Sequence, residues 1–135
     1  MGLSFAIDGI KTHELFFDHL KKGENKPLDT MAKLIEAEFG TFDEWLTDMK
    51  QTGIAARGWV WTAYDHDTKR IINILGDGHD AFPIWNATPL VALDVYEHAY
   101  FIDFGVNRAE YIKNFFNNLN WEVIEKRIQD NNIKI

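Results

Sequence analysis

The sequence predicts an α+β fold in which helices lead into a few antiparallel strands and the chain then returns to helices. Two observations carry that expectation. Apolar residues recur at helical spacing as far as about residue 55, give way to a β-rich aromatic run at 58–64, and resume helical spacing after residue 96. At 135 residues with 46% hydrophobic content, the chain is also long enough to bury a real core without disulfides.

Each element has its own signal. Phe5, Ile7, Ile10, Leu15, Phe16, Phe17 and Leu20 form an apolar series that reads as a first helix, firmest from Ile10 onward. The segment Lys21 to Pro27, KKGENKP, reads as a helix–helix loop. Leu28, Met31, Leu34, Ile35 and Phe39 then share one helical face, with Pro27 suited to the first turn and Gly40 to the position just past the end. Thr41 and Glu44 make a capping box for a third helix reaching about Ala55. Gly58 to Tyr64 is a strand, Asp65 to Thr68 a turn, and Ile71 to Leu75 a second strand, so the three form a hairpin. A looser stretch from Gly76 to Pro89 precedes Leu90 to Leu93, a short buried strand ending at Asp94. From Tyr96 the pattern is helical again, through Tyr111, Ile112, Phe115, Phe116 and Leu119, then Trp121, Val123, Ile124 and Ile128.

Composition removes several classes of function. Without cysteine there are no disulfide frameworks, thiolate metal sites or cysteine nucleophiles. A net charge of −7 argues against a general nucleic-acid surface, and no apolar run is long enough for a membrane span. The start, Met1 to Phe5, lacks the pattern of a secretory signal, so the expected compartment is the cytoplasm. Phosphate loops, H-E-x-x-H and G-x-S-x-G are all absent.

The densest polar cluster is Asp94-Val95-Tyr96-Glu97-His98-Ala99-Tyr100. An Asp and a His at this spacing can converge on one ion, and carboxylate with imidazole suits iron, manganese or zinc. Read from spacing alone, a capping Asp with a satisfied core His explains the cluster as well. His13, on the apolar-rich first helix, is by itself more often a core histidine than a ligand, and His79 lies in Gly76 to Asp80, which also reads as a plain polar loop. His19 and His66 stand in contexts that read as solvated and are given no role.

The string DVYEHAY, Asp94 to Tyr100, closely resembles the D-x-W-E-H-A-Y signature of iron/manganese superoxide dismutases. THELFFDHL at Thr12 to Leu20 is similar to that family's N-H-x-x-F-W-x-N-L, FGTFDEW at Phe39 to Trp45 to F-G-S-F-E-x-F, GWVW at Gly58 to Trp61 to G-W-x-W, and NLNWE at Asn118 to Glu122 to V-N-W-E. The matches run in family order from about Phe5 to Arg127.

The resemblance implies an α+β domain with a three-stranded antiparallel sheet at 27–135, preceded at 1–26 by a remnant of an N-terminal helical domain. It implies one iron or manganese ion per chain, superoxide as substrate, and His13, Asp94 and His98 as metal ligands. The family's first helix of the N-terminal hairpin, with a further His ligand and a gateway Tyr, has no counterpart here; this is expected to weaken a truncated site. Gly9 stands where iron enzymes carry a Gln, and His79 stands where other members place the residue that contacts bound solvent, which leaves iron versus manganese open. Trp59, Trp61 and Tyr100 are implied supports, with Phe17 and Trp121 completing an aromatic wall. Arg108 matches an Arg near the funnel mouth, where a local field would have to draw an anion to an acidic chain. Glu97 matches the Glu that bonds a ligand His of the partner subunit, implying a homodimer or higher homo-oligomer. The contrasting expectation is a non-catalytic dimeric scaffold or interaction module of the same fold.

Overall fold

The computed structural model describes residues 2–23 and 26–135. Met1 of the start segment, and Glu24 and Asn25 of the expected Lys21 to Pro27 loop, lie outside the described residues. Helices α1 (Leu3–Asp18), α2 (Asp29–Phe39) and α3 (Phe42–Ala55) come first. Strands β1 (Trp59–Asp65), β2 (Arg70–Gly76) and β3 (Ala87–Asp94) follow. A 3-10 turn at Glu97–Ala99 then leads to α4 (Phe101–Phe104), α5 (Arg108–Phe116) and α6 (Trp121–Asp130). The α+β class is therefore the observed one, with a single antiparallel sheet in the order β2-β1-β3.

The capping box at the start of α3 forms. Thr41 Oγ1 accepts from the Glu44 N–H at 3.2 Å, and the Thr41 hydroxyl donates to Glu44 Oε2 at 2.8 Å. Gly40 closes α2 with φ of 85°, a conformation that glycine adopts at little cost.

Three boundaries differ from the sequence expectation. Helix α2 starts at Asp29, leaving Pro27 outside it, and its N-cap Leu28 offers no side-chain acceptor. The buried carboxylate of Glu125 on α6 caps it instead, accepting from the N–H groups of Thr30 and Met31 at 3.2 and 3.1 Å. Strand β3 begins at Ala87 and runs through Pro89. Proline is tolerated because β3 is an edge strand and the register slips between Thr62 and Ala63 at that point. The helical stretch after Tyr96 is broken into pieces, with Gly105 at φ 55° and Asn107 capping α5 by accepting from the Glu110 N–H.

The core lies between the sheet and helices α2, α3, α5 and α6. Trp45, Trp59 and Trp61 are fully buried there with Met31, Met49, Ile71, Leu93 and Ile112. Trp45 donates to Thr62 Oγ1 at 3.0 Å and Thr62 donates to Asn73 Oδ1 at 2.6 Å, whereas Trp121 Nε1 is buried with no hydrogen-bond partner among the described residues. Trp121 packs against Phe42 and Trp45 in the core, whereas Phe17 is 63% exposed. Helix α1 packs on β3. No helix among the described residues is long and apolar enough to cross a membrane.

The reading of His19 as solvated is corrected. Its side chain is fully buried where the end of α1 meets the turn between α5 and α6, and its carbonyl accepts from the Asn120 N–H at 2.6 Å. Neither ring nitrogen has a hydrogen-bond partner among the described residues. Burial, reinforced by the charge of Arg127, lowers its pKa to about 3. A single polar residue among Phe16, Phe17 and Leu20 carries no mark in the sequence that tells burial from exposure.

Candidate metal centre

The end of β3 places Asp94 opposite Trp59 in the sheet register. Its carboxylate is buried and only 2% exposed. Oδ1 accepts from the Tyr96 N–H at 2.9 Å, which turns the chain and aims Oδ2 the other way. Asp94 therefore forms a local turn and does not cap the following 3-10 helix, whose N-cap is Tyr96 without a side-chain acceptor. The 3-10 turn returns His98, four residues on, to put its Nε2 2.9 Å from Asp94 Oδ2. From the opposite side α1 delivers His13 Nε2 to 3.3 Å of the same oxygen.

Helix geometry sets the protonation of His13. Its Nδ1 lies 2.7 Å from the Gly9 carbonyl one turn back, a contact that only an N–H can make. In the neutral ring the lone pair is then on Nε2, facing Asp94. Among the described residues, His13, Asp94 and His98 form a group whose donor atoms all lie within 4.8 Å of one another. One carboxylate oxygen and two imidazole nitrogens this close together fit the donor set of a divalent first-row transition ion. His13 is half-buried and the His98 side chain 56% exposed, so the group faces solvent on one side.

His79 stands over this trio from the loop after β2. Trp59 Nε1 donates to His79 Nδ1 at 2.9 Å, so neutral His79 carries its proton on Nε2. The ring lies 5.2 Å from that of His13 and 4.7 Å from that of Phe5. Burial, then the neighbouring His13, pushes its pKa below the usual histidine value. The loop leaves the sheet at Gly76, where a Cβ would come within 2.7 Å of both the Ala81 carbonyl and Trp61. Three tethers then hold it. Arg57 pairs with the Asp77 carboxylate at 2.6 Å, Tyr96 donates from its hydroxyl to the Asp77 carbonyl at 2.9 Å, and Ser4 donates to Asp80 Oδ2 at 3.1 Å.

The remaining expected residues stand further out. Trp59 meets the His13 ring edge-on at 5.1 Å, and Trp61 stacks behind Trp59 at 6.2 Å. Arg108 donates to the Ala56 carbonyl at 2.6 Å and to the Tyr100 hydroxyl at 3.1 Å, which ties α5 to the end of α3. Tyr100 in turn stacks on Tyr111 at 5.1 Å. Glu97 is exposed beside His98. Tyr111 was not singled out by the sequence, where it reads as one more core position of α5. Its hydroxyl donates to the Asp94 carbonyl at 2.6 Å and bolts the end of β3 to α5. A tyrosine in an otherwise apolar stripe was the only available signal. A shallow cleft of about 470 Å³ runs along Phe5, Gly9 and Ile10 to His13 and His79.

The α+β frame with a His–Asp–His group at the end of an edge strand defines a class, that of proteins with an imidazole–carboxylate metal site. The sequence pattern of iron/manganese superoxide dismutases, C-terminal domain, matches residues 27–127. The chain belongs to the iron/manganese superoxide dismutase family. It is 33% identical over 119 residues to a manganese superoxide dismutase of Halobacterium salinarum, covering 87% of this chain and 60% of that protein. It is 34% identical over 127 residues to an iron superoxide dismutase of Aquifex aeolicus, covering 93% of this chain and 60% of the relative. The chain thus spans about 60% of the length of these curated relatives.

Proposed function

We propose that this chain carries out metal-dependent dismutation of superoxide to oxygen and hydrogen peroxide, with one iron or manganese ion held by His13, Asp94 and His98. The single observation behind this reading is the convergence of three donor atoms within 4.8 Å in a chain of this family. When bound, the metal would supply the electron exchange that oxidises one superoxide and reduces another.

The protein's own part follows from the geometry. Asp94 is held by the Tyr96 N–H and the bolt from Tyr111, so the carboxylate keeps its aim. His13 is fixed as an Nε2 donor by Gly9. His79, with Trp59 on its Nδ1, keeps a proton on Nε2 at the edge of the group and is the residue we assign to supporting proton delivery. Trp59 and Trp61 wall the site with apolar surface, and Arg108 and Tyr100 brace it through Tyr111. Three protein ligands suffice for many catalytic ions and leave positions open to substrate.

Metal per chain, measured by elemental analysis after purification without added metal and dialysis against a mild chelator, tests the site. Near-stoichiometric iron or manganese, with superoxide consumption above that of the free metal, is the expected result. Metal-loaded protein that consumes superoxide no faster than free metal overturns the reading.

Glu97, exposed next to His98, is followed by the exposed apolar side chains of Phe101, Ile102 and Val106, and this supports a homodimer formed through that turn. Sedimentation velocity of Glu97→Ala is expected to show more monomer than the parent chain. The scaffold reading draws on a different surface, the exposed stripe Leu3, Ile7, Ile10 and Phe17 along α1. It gains ground if the chain binds no metal after purification yet self-associates unchanged when His13 and His98 are both replaced by alanine.

A further inference from the structure

Tyr96 touches a donor histidine and also bonds to the backbone of the loop that carries the supporting histidine. Its ring stacks on that of His98 at 5.4 Å with the planes 17° apart, and lies 5.2 Å from the ring of His79. Its hydroxyl passes beyond both rings to the Asp77 carbonyl, two residues before His79. All three tethers lie at the surface, and the Arg57–Asp77 pair joins two long or mobile side chains, with the Arg57 side chain 80% accessible. Arg57 and Ser4 act on side chains of the loop, whereas Tyr96 alone among the three holds the backbone.

We propose that Tyr96 is a positioning residue for His79: its hydroxyl clamps the Asp77 carbonyl so that the loop presents the His79 Nδ1 to Trp59 and keeps the ring beside that of His13. The proposal deepens the superoxide dismutase reading, on which its functional meaning rests, but the geometry it asserts exists without metal or substrate. Removing the hydroxyl leaves the ring stack on His98 in place and frees the loop backbone. The Trp59–His79 bond then loses its fixed partner, because a 2.9 Å contact tolerates little drift.

The test uses the full chain, chelator-treated, labelled with nitrogen-15, as the parent, Tyr96→Phe and Arg57→Ala. Tyr96→Phe is expected to move the Trp59 indole N–H resonance towards that of an unbonded indole. Amide exchange at Gly78 to Asp80 should also accelerate about tenfold, the loss of one hydrogen bond. Arg57→Ala is expected to leave the Trp59 signal where it was. Thermal unfolding of the same samples separates this local change from a general loss of fold, which would move every indole signal together. An unmoved Trp59 resonance in Tyr96→Phe, or an equal shift in Arg57→Ala, overturns the proposal. Neither readout needs metal or superoxide, so a failure here is distinct from a failure of the proposed activity.

Discussion

Gly9 and His79 fill one space between them: a Cβ built on Gly9 would stand 3.3 Å from His79 Cδ2, closer than a side chain normally sits. Residue 9 is therefore small so that a histidine from a distant loop can lie over α1. Gly9→Gln is expected to push His79 off Trp59. The better helix propensity of Gln, worth about 0.5 kcal/mol over Gly, offsets only part of an overpacking cost of about 1–3 kcal/mol. A lowered thermal midpoint with a shifted Trp59 indole signal is the expected pair of results. A variant that leaves that indole signal unchanged would show that the two residues do not share the space.

Loss of any of the three donors should be felt directly. Replacing outer partners of a metal ligand typically weakens binding by about 10–100-fold, and loss of a ligand itself is expected to exceed that. His98→Ala and His13→Ala are each predicted to lower affinity for manganese by at least about 100-fold in competition with a fluorescent chelator. His66→Ala, just past the opposite end of β1 and bonded to Thr88, serves as the control and should keep the parent affinity.

Glu125 gives a prediction about the fold. It supplies the N-terminal cap that α2 lacks, from inside the core and with two charge-assisted hydrogen bonds. Glu125→Ala leaves one buried N–H (Met31) and one part-buried N–H (Thr30) without this acceptor and should cost about 2 kcal/mol in urea unfolding at neutral pH. A cost below 1 kcal/mol would mean that water caps α2 equally well.

His19 predicts a pH dependence. Its pKa is about 3 in the folded chain against an ordinary 6.5, so the unfolded chain binds the extra proton between those values. Stability from this residue is full above pH 6.5 and is lost as pH falls towards 3, at a slope approaching about 1.4 kcal/mol per pH unit. His19→Leu removes two unpartnered buried nitrogens and is expected to match or exceed the parent at pH 7 and to lose less stability between pH 6.5 and 5. Parallel pH profiles for the two proteins would sink this account of His19.

The elements that local chemistry dictates were readable in the chain alone: the Thr41–Glu44 box, Gly40 at the end of α2, the hairpin around Asp65 to Thr68, and the apolar faces of α2 and α5. The four-residue spacing of Asp94 and His98 allowed one turn to bring them together, but that spacing read equally as a capping Asp with a core His, and the pairing came from the resemblance. The candidates His13 and His79 were nameable by their resemblance to a family, but their meeting was not legible in local pattern. It depends on α1 packing on β3 and on a loop pinned by Arg57, Tyr96 and Ser4. The same holds for Glu125 as the cap of a helix 94 residues away and for the burial of His19. Propensity, capping and turn chemistry act within a few residues and are written in the sequence. Which polar atom ends up facing which, and which histidine is denied water, is decided by long-range packing, where the cost of an unpaired buried group is settled by partners far along the chain.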